Sequence, residues 1–316
     1  MVGDNILVNA ELKIEFPKLL LTPADLVGKA LRTTRLEWRA LLTLLWVPTL
    51  INNLAEEPAN WITSYWKTEA NLLMLIGMAV IGVLVSVISR VFVAVRTFAL
   101  LLMLQRPGNR ESAVAAARRQ LGTVIVVTLP VILADLAFYL ILIGVSFFFD
   151  FAYMEAADAG TETAKALVAL VVYLSLFGLF IPYFMFCFCN ASFAAIVVSE
   201  RFSIRKSMSR FWYFVTRSPG YLFSCLLVSG VTYILLGYVY IGLSMILSPG
   251  GFFVGPSKDL VKIVWGLISG VLFSPLAVFW FASTTILGAL LNDQLRMRLD
   301  APDLSKMIDE LRTNAS

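Results

Sequence analysis

Long apolar stretches, separated by short polar segments, recur along almost the whole chain. A helix needs roughly 20 apolar residues to cross a hydrocarbon layer about 30 Å thick. Six stretches reach or approach this length, namely residues 38–54, 71–104, 122–149, 166–198, 221–247 and 260–291. The pattern therefore predicts an all-α integral membrane protein with six transmembrane helices.

The basic residues are divided unevenly among the segments that connect these stretches. Nineteen of the 25 Lys and Arg residues lie in the N-terminal segment, the second and fourth connections and the C-terminal segment, and four lie in the other connections. Lys and Arg near the ends of spans are retained on the cytoplasmic side. With an even number of spans, both termini are expected in the cytoplasm, and the bacterial cytoplasmic (inner) membrane is the expected location.

The same order of segments occurs three times: a basic amphipathic segment, a span, an outer connection and a longer returning span. The three copies begin near Leu26, Ala113 and Ile204, at spacings of 87 and 91 residues. This spacing indicates three hairpin repeats, each preceded by an interfacial amphipathic helix. The chain then divides into a cytoplasmic tail at 1–21, a six-helix membrane domain at 22–291 and a cytoplasmic C-terminal tail at 292–316.

The amphipathic segment of the third copy carries basic residues among apolar and aromatic ones. A helix of this kind lies in the headgroup layer, where its basic side chains contact lipid phosphates. The predicted lipid-headgroup contacts are Arg205, Lys206 and Arg210.

Composition agrees with a membrane setting and removes several kinds of chemistry. The 316 residues are 59% hydrophobic and 15% charged, whereas soluble domains are nearer half apolar and a quarter charged. The mean hydropathy is +0.83. Histidine is absent, which excludes Ser-His and Cys-His nucleophile pairs and His-ligated zinc or haem. We therefore expect no enzyme activity, no cofactor and no metal, and the modest charge of +4 argues against nucleic acid as a partner.

One acidic residue, Asp135, lies well inside the third predicted span. An intramembrane carboxylate costs several kcal/mol and is by default a functional candidate. It either stabilises packing as a protonated or hydrogen-bonded group, serves as a proton or cation site, or lies near the outer interface. Counting from the outer end of the second span places Arg90 at the inner interface, too shallow to reach Asp135. Better-placed partners would be Lys165, Lys262 or Tyr139.

The second and third returning spans contain Pro182 and Pro275, followed by small polar residues that begin at Asn190 and Ser283. Proline frees a backbone carbonyl, which inside a bilayer must be satisfied by a neighbour. We expect a structural kink at each proline rather than a transport gate. Together with Asp135, the residues Pro182, Asn190 and Pro275 form the predicted intramembrane polar site.

Apolar and polar residues alternate near the N-terminus with the period of a β-strand. The apolar positions include Ile6, Val8, Leu12 and Ile14. A single strand leaves its edges unsatisfied, so it pairs with another protein, pairs with its symmetry mate or stays extended on the membrane surface.

The run Arg-Phe-Trp-Tyr-Phe at 210–214, followed by Ser-Pro-Gly at 218–220, resembles poorly characterised bacterial six-helix membrane proteins. It is similar in style to the membrane domain fused to glycerophosphodiester phosphodiesterases, over residues 26–291. The resemblance implies a membrane module that handles lipids or docks partners. It implies no catalytic residues, because the acidic and histidine residues of the phosphodiesterase domain are missing.

The absence of catalytic groups favours a non-enzymatic scaffold, anchor or assembly partner. Its expected partners are membrane lipids and either another protein or a second copy of the chain. The alternative is a transporter or lipid-handling protein with its site near Asp135 and the proline-containing helices.

Overall fold

The computed structural model describes residues 20–65, 72–105, 110–158, 162–247 and 258–315, and within these ranges the regular structure is entirely α-helical. The helices are α1 (Pro23–Leu36), α2 (Trp38–Tyr65), α3 (Leu72–Gln105), α4 (Arg110–Arg119), α5 (Leu121–Asp158), α6 (Glu162–Ser199), α7 (Ile204–Arg217), α8 (Pro219–Leu247) and α9 (Lys258–Ala315). A short helix followed by two long ones occurs three times in this order. The predicted all-helical class is confirmed for the described residues.

Four helical segments among the described residues are long and apolar enough to cross a membrane: Val87–Gln105, Leu121–Phe138, Gly178–Ser199 and Gly270–Asp300. A fifth is obtained if Ile204–Arg217 and Pro219–Leu235, which are bent by 96° at their junction, form one span. By helix length and hydropathy the chain is therefore a multi-pass membrane protein. The number six and the hairpin repeat stay predictions.

Helix α1 begins at a residue pattern that satisfies its first backbone N–H groups. The Thr22 hydroxyl accepts a hydrogen bond from the Asp25 backbone N–H at 3.2 Å and donates one to the Asp25 carboxylate at 2.6 Å. Pro23 is the first helical residue, where its missing N–H costs nothing. The buried face of α1, which includes Leu26, Val27 and Ala30, packs against α8 and α9.

Helix α9 contacts α1, α2, α3, α6 and α7. It comes very close to α6, where a Cβ added at Gly288 would lie 2.7 Å from the backbone carbonyl of Ala191. Because lipid tails are as apolar as leucine, helices in a membrane associate through close packing of such small residues.

Helix α9 contains Pro275, where a kink was predicted, and it also passes the predicted domain boundary between residues 291 and 292. It continues without interruption through Pro275, as α6 does through Pro182. The predicted cytoplasmic tail was to begin at Asn292, yet Asn292 and Gln294 are buried and Leu295 is 2% exposed. The bundle therefore extends at least one turn beyond residue 291, because these residues pack inside it.

The segment that leads into α1 is fastened to the last part of α9. The backbone N–H of Leu21 donates to the Gln294 side chain at 2.8 Å, and the Leu21 carbonyl accepts from Arg298 at 2.9 Å and from the Tyr221 hydroxyl at 3.1 Å. The Arg298 guanidinium lies 3.8 Å from the centre of the Tyr221 ring. This group of contacts, the Leu21 clasp, joins the starts of α1 and α8 to α9.

Replacing Gly288 by alanine should destabilise the protein by roughly 1–3 kcal/mol, because the new methyl group would overlap rigid backbone of α6. The midpoint of thermal unfolding in detergent measures the effect. The matched control is Gly178→Ala on the exposed part of α6, where nothing lies within 4 Å of the added carbon. An unfolding midpoint for Gly288→Ala equal to or above that of the control would contradict the close approach.

Candidate functional site

Three helices bring polar side chains together around the buried carboxylate of Asp135. Arg90 on α3 forms an ion pair with it, donating from Nη1 to Oδ2. Tyr183 on α6 donates its hydroxyl to Oδ1. The Asp135 side chain is 4% exposed and that of Arg90 is 19% exposed. Both oxygens of the carboxylate are thus occupied by donors from helices other than its own.

The prediction that Arg90 lies too shallow to reach Asp135 is wrong. Helix α3 has 34 residues, or roughly 51 Å at 1.5 Å per residue, so its outer end does not fix the depth of any residue. The depth of Arg90 follows instead from counting back from the end of α3 that lies next to the start of α5. Arg90 lies 15 residues before Gln105, the last residue of α3, and Asp135 lies 14 residues after Leu121, the first of α5. Both therefore reach the same height.

A tyrosine was among the expected partners of Asp135, with Tyr139 as the example, and the structure shows Tyr183 in contact with the carboxylate. The side chains of Tyr139, Lys165 and Lys262 lie outside the described residues. Nothing in the sequence distinguishes Tyr183 from the other nine tyrosines, because its role depends on which face of α6 meets α5.

Aromatic rings hold Tyr183 in position. Phe138 stacks on the Tyr183 ring with 4.5 Å between ring centres, one turn along α5 from Asp135. Phe184 contacts Tyr183 edge to face at 5.5 Å and lies 5.0 Å from Trp280 of α9. These contacts direct the Tyr183 hydroxyl toward the carboxylate.

The ion pair lies on the wall of a cavity of about 320 Å³ formed by residues of α2, α3, α5, α6 and α9. Besides Tyr183 and Cys187, the uncharged polar side chains on this wall are Asn52, Asn53, Thr97, Thr128, Asn190, Thr284 and Thr285. The remaining wall is largely alkyl and aromatic and includes Phe98 and Trp280. A mostly apolar cavity with a few convergent polar groups suits a small amphipathic molecule.

Helix α2 is tied to the site through Asn52. The Ser89 hydroxyl donates to the Asn52 side-chain oxygen at 3.1 Å, and both residues are almost fully buried. Ser89 directly precedes Arg90, so this bond links α2 to the turn of α3 that carries the cation. In the sequence, Asn52 is a polar residue near the end of the first predicted span, and nothing there indicates this contact.

The structure brings together two of the four residues predicted for the intramembrane polar site. Asp135 and Asn190 both line the cavity. Pro182 is exposed, Pro275 is partly exposed, and neither is among the lining residues. Residue type identified the prolines, but it did not indicate which face of the helix they occupy.

The three predicted headgroup contacts on α7 have different surroundings. Arg205 and Lys206 are exposed, on the same helix as Trp212, which is 66% exposed. Arg210 instead forms an ion pair with Asp300 of α9. The structure thus leaves the first two side chains open and engages the third within the protein. The predicted partner strand, Ile6, Val8, Leu12 and Ile14, lies outside the described residues.

Two cysteines differ in their relation to the cavity. Cys187, one turn after Tyr183 on α6, lines it, whereas Cys189 does not. Both are free thiols and both are partly buried. They therefore form a matched pair of probes, one inside the cavity and one outside it.

Comparison of the chain with protein-family models, curated proteins and solved structures finds no match. The resemblance to bacterial six-helix membrane proteins accordingly stays a prediction. A proposal for function has to rest on the geometry of the cavity and its ion pair.

Arg90→Gln and Asp135→Asn should each destabilise the protein, because each leaves a buried charge without its counter-charge. The double variant should lose less than the sum of the single losses, with a coupling of roughly 1–3 kcal/mol. Thermal or denaturant unfolding of all four proteins in one detergent measures this coupling. Strictly additive losses would show that the two side chains do not interact in the folded protein.

Proposed function

We propose that the protein binds a small amphipathic molecule in the cavity around Arg90, Asp135 and Tyr183 and moves it within or across the membrane. The observation that carries this proposal is a buried ion pair on the wall of a cavity of about 320 Å³ in a helix bundle. The proposed class is a transporter or lipid-handling protein.

The cavity is a partly open cleft rather than an enclosed packing void, and it is larger than the gaps between close-packed side chains. Protein interiors are packed about as densely as organic crystals, with few voids larger than a water molecule. A space of about 320 Å³ would hold roughly ten waters at their liquid volume of about 30 Å³ each. A bundle that only had to be stable would gain by closing this space.

Like the cavity, the ion pair would lower the stability of the fold if its only role were structural. Removing two charges from water often costs more than their attraction returns, and apolar residues of similar size would serve stability as well or better. Ionisable groups inside membranes mark substrate or proton pathways more often than other residues do. The location of Arg90 and Asp135 on a cavity wall supports a role in binding.

The proposal includes the finer topology. It has six spans, arranged as three hairpins that each follow a short amphipathic helix, with both termini in the cytoplasm of a bacterial inner membrane. The order of one short and two long helices, seen three times, and the one-sided distribution of Lys and Arg support it. The scaffold function expected from the absence of catalytic groups stays a prediction, and the N-terminal strand predicted to bind a partner lies outside the described residues.

Thiol labelling tests whether the cavity takes up an amphipathic molecule. In protein that keeps only Cys187, with alanine at Cys189 and Cys225, at least one member of a set of octyl compounds with different headgroups should slow labelling by a small methanethiosulfonate several-fold. Protein that keeps only Cys189 is the control, because this thiol does not line the cavity. Labelling of Cys187 that no octyl compound slows would refute the proposed binding site.

Single cysteines in a cysteine-free chain test the topology. Val2→Cys and Ala315→Cys should react with a membrane-impermeant maleimide only after permeabilisation, whereas Thr161→Cys, in an outer connection, should react in intact spheroplasts. Reaction of just one terminal cysteine before permeabilisation would mean an odd number of spans and overturn the six-span arrangement.

A further inference from the structure

We infer that the molecule bound in the cavity carries an anionic group, a carboxylate or a phosphate, which binds Arg90 in place of Asp135, and that Asp135 takes up a proton as it is displaced. This inference rests on the proposed function and names its substrate class. Asp135 accordingly binds Arg90 when no anion is present in the cavity.

The two partners of the ion pair differ in accessibility. The Arg90 side chain is 19% exposed and the Asp135 side chain 4% exposed, and both line the cavity. Among the described residues on the cavity wall, Arg90 is the only basic side chain and Asp135 the only acidic one. A charged group that enters the cavity therefore meets one accessible cation, whose present counter-ion lies deeper in the protein.

The guanidinium group favours an anion with two oxygens. Its planar fork of N–H donors matches carboxylate and phosphate, with which it forms two parallel hydrogen bonds. An entering carboxylate forms the same charged hydrogen bonds with Arg90 as Asp135 does. The positive charge of Arg90 is therefore neutralised both before and after the exchange. A neutral headgroup would leave Arg90 without a counter-charge, and a cationic headgroup would add repulsion.

Among the described residues of the cavity wall, the displaced Asp135 meets no second cation. The other titratable groups on the described cavity wall are Tyr183 and Cys187 of α6, both neutral at physiological pH. The residues that α2 and α9 contribute to the wall, among them Asn52 and Thr285, carry no charge. A carboxylate in such surroundings becomes neutral by binding a proton rather than remaining charged.

Tyr183 determines where that proton goes. Its hydroxyl is bonded to Oδ1 of Asp135, while Oδ2 is the atom that Arg90 leaves. The proton comes from water and binds at Oδ2, so one anion and one proton enter the cavity together. The net charge inside the bundle is then the same before and after binding.

A series of probes with one chain length tests the inference in nanodiscs of phosphatidylcholine. The probes are octanoate, octyl phosphate, octanol and octylammonium, with acetate and inorganic phosphate as anions without a chain. Protection of Cys187 from labelling reports binding, and a pH indicator in weak buffer reports proton uptake. We expect protection by octanoate and octyl phosphate only, with one proton taken up for each anion bound.

The outcomes separate this inference from the proposed function. Equal protection by all four octyl probes keeps the cavity as a binding site and overturns the anion. Protection by none of the probes overturns both. If acetate and inorganic phosphate protect as well as the octyl anions, the anion is supported and a free solute replaces the amphipathic molecule. Anion binding without proton uptake overturns the displacement of Asp135.

Variants test the displacement directly. Asp135→Asn removes the internal competitor, so octanoate should bind several-fold more tightly and without proton uptake, whereas Arg90→Gln should abolish protection by anions. If Asp135→Asn does not fold, Tyr183→Phe takes its place. It removes a donor that favours the charged carboxylate, so octanoate should again bind more tightly, now with proton uptake retained. Unchanged octanoate affinity in the variant that folds overturns the exchange.

Discussion

Opposite charges inside an apolar bundle have to meet, because either one alone would stand uncompensated in surroundings that solvate ions poorly. Arg90 and Asp135 come from α3 and α5, and the second oxygen of the carboxylate is satisfied by Tyr183 of α6. This requirement sets the relative height of three helices. The bond between Ser89 and Asn52 extends it to α2, so four helices are held in register around one carboxylate.

The cavity beside this carboxylate lies next to a point of very close helix packing. Ala191 of α6 lines the cavity and is also the residue whose backbone meets Gly288 of α9. Thr285, one turn away on α9, faces the open space. The two helices thus meet at backbone distance at Gly288, while the nearby cavity is lined by large side chains that include Trp280 and Tyr183.

Hydrophobic periodicity was sufficient for the helical class and for singling out Asp135, because both follow from transfer of residues from water to lipid. Periodicity was not sufficient to predict the pairing of Arg90 with Asp135. Helix α3 is longer than a membrane is thick, so the depth of Arg90 could be found only by counting from the end of α3 that lies next to α5. For Pro182, residue type gave no indication of the helix face. Arg210 shows the same limit. Its charge predicted a contact with lipid, but its guanidinium forms an ion pair with Asp300, which lies 90 residues away in the sequence.

The Leu21 clasp has a consequence for the order of assembly. Ribosomes make Leu21 early, but Gln294 and Arg298, which bind its backbone, are among the last residues of the bundle to be synthesised. The entry to α1 therefore lacks the Gln294 and Arg298 contacts throughout translation of the intervening helices, of which α8 can supply only the Tyr221 hydroxyl. The full set of contacts awaits insertion of α9, so a chain truncated before α9 differs from a longer one at the start of α1.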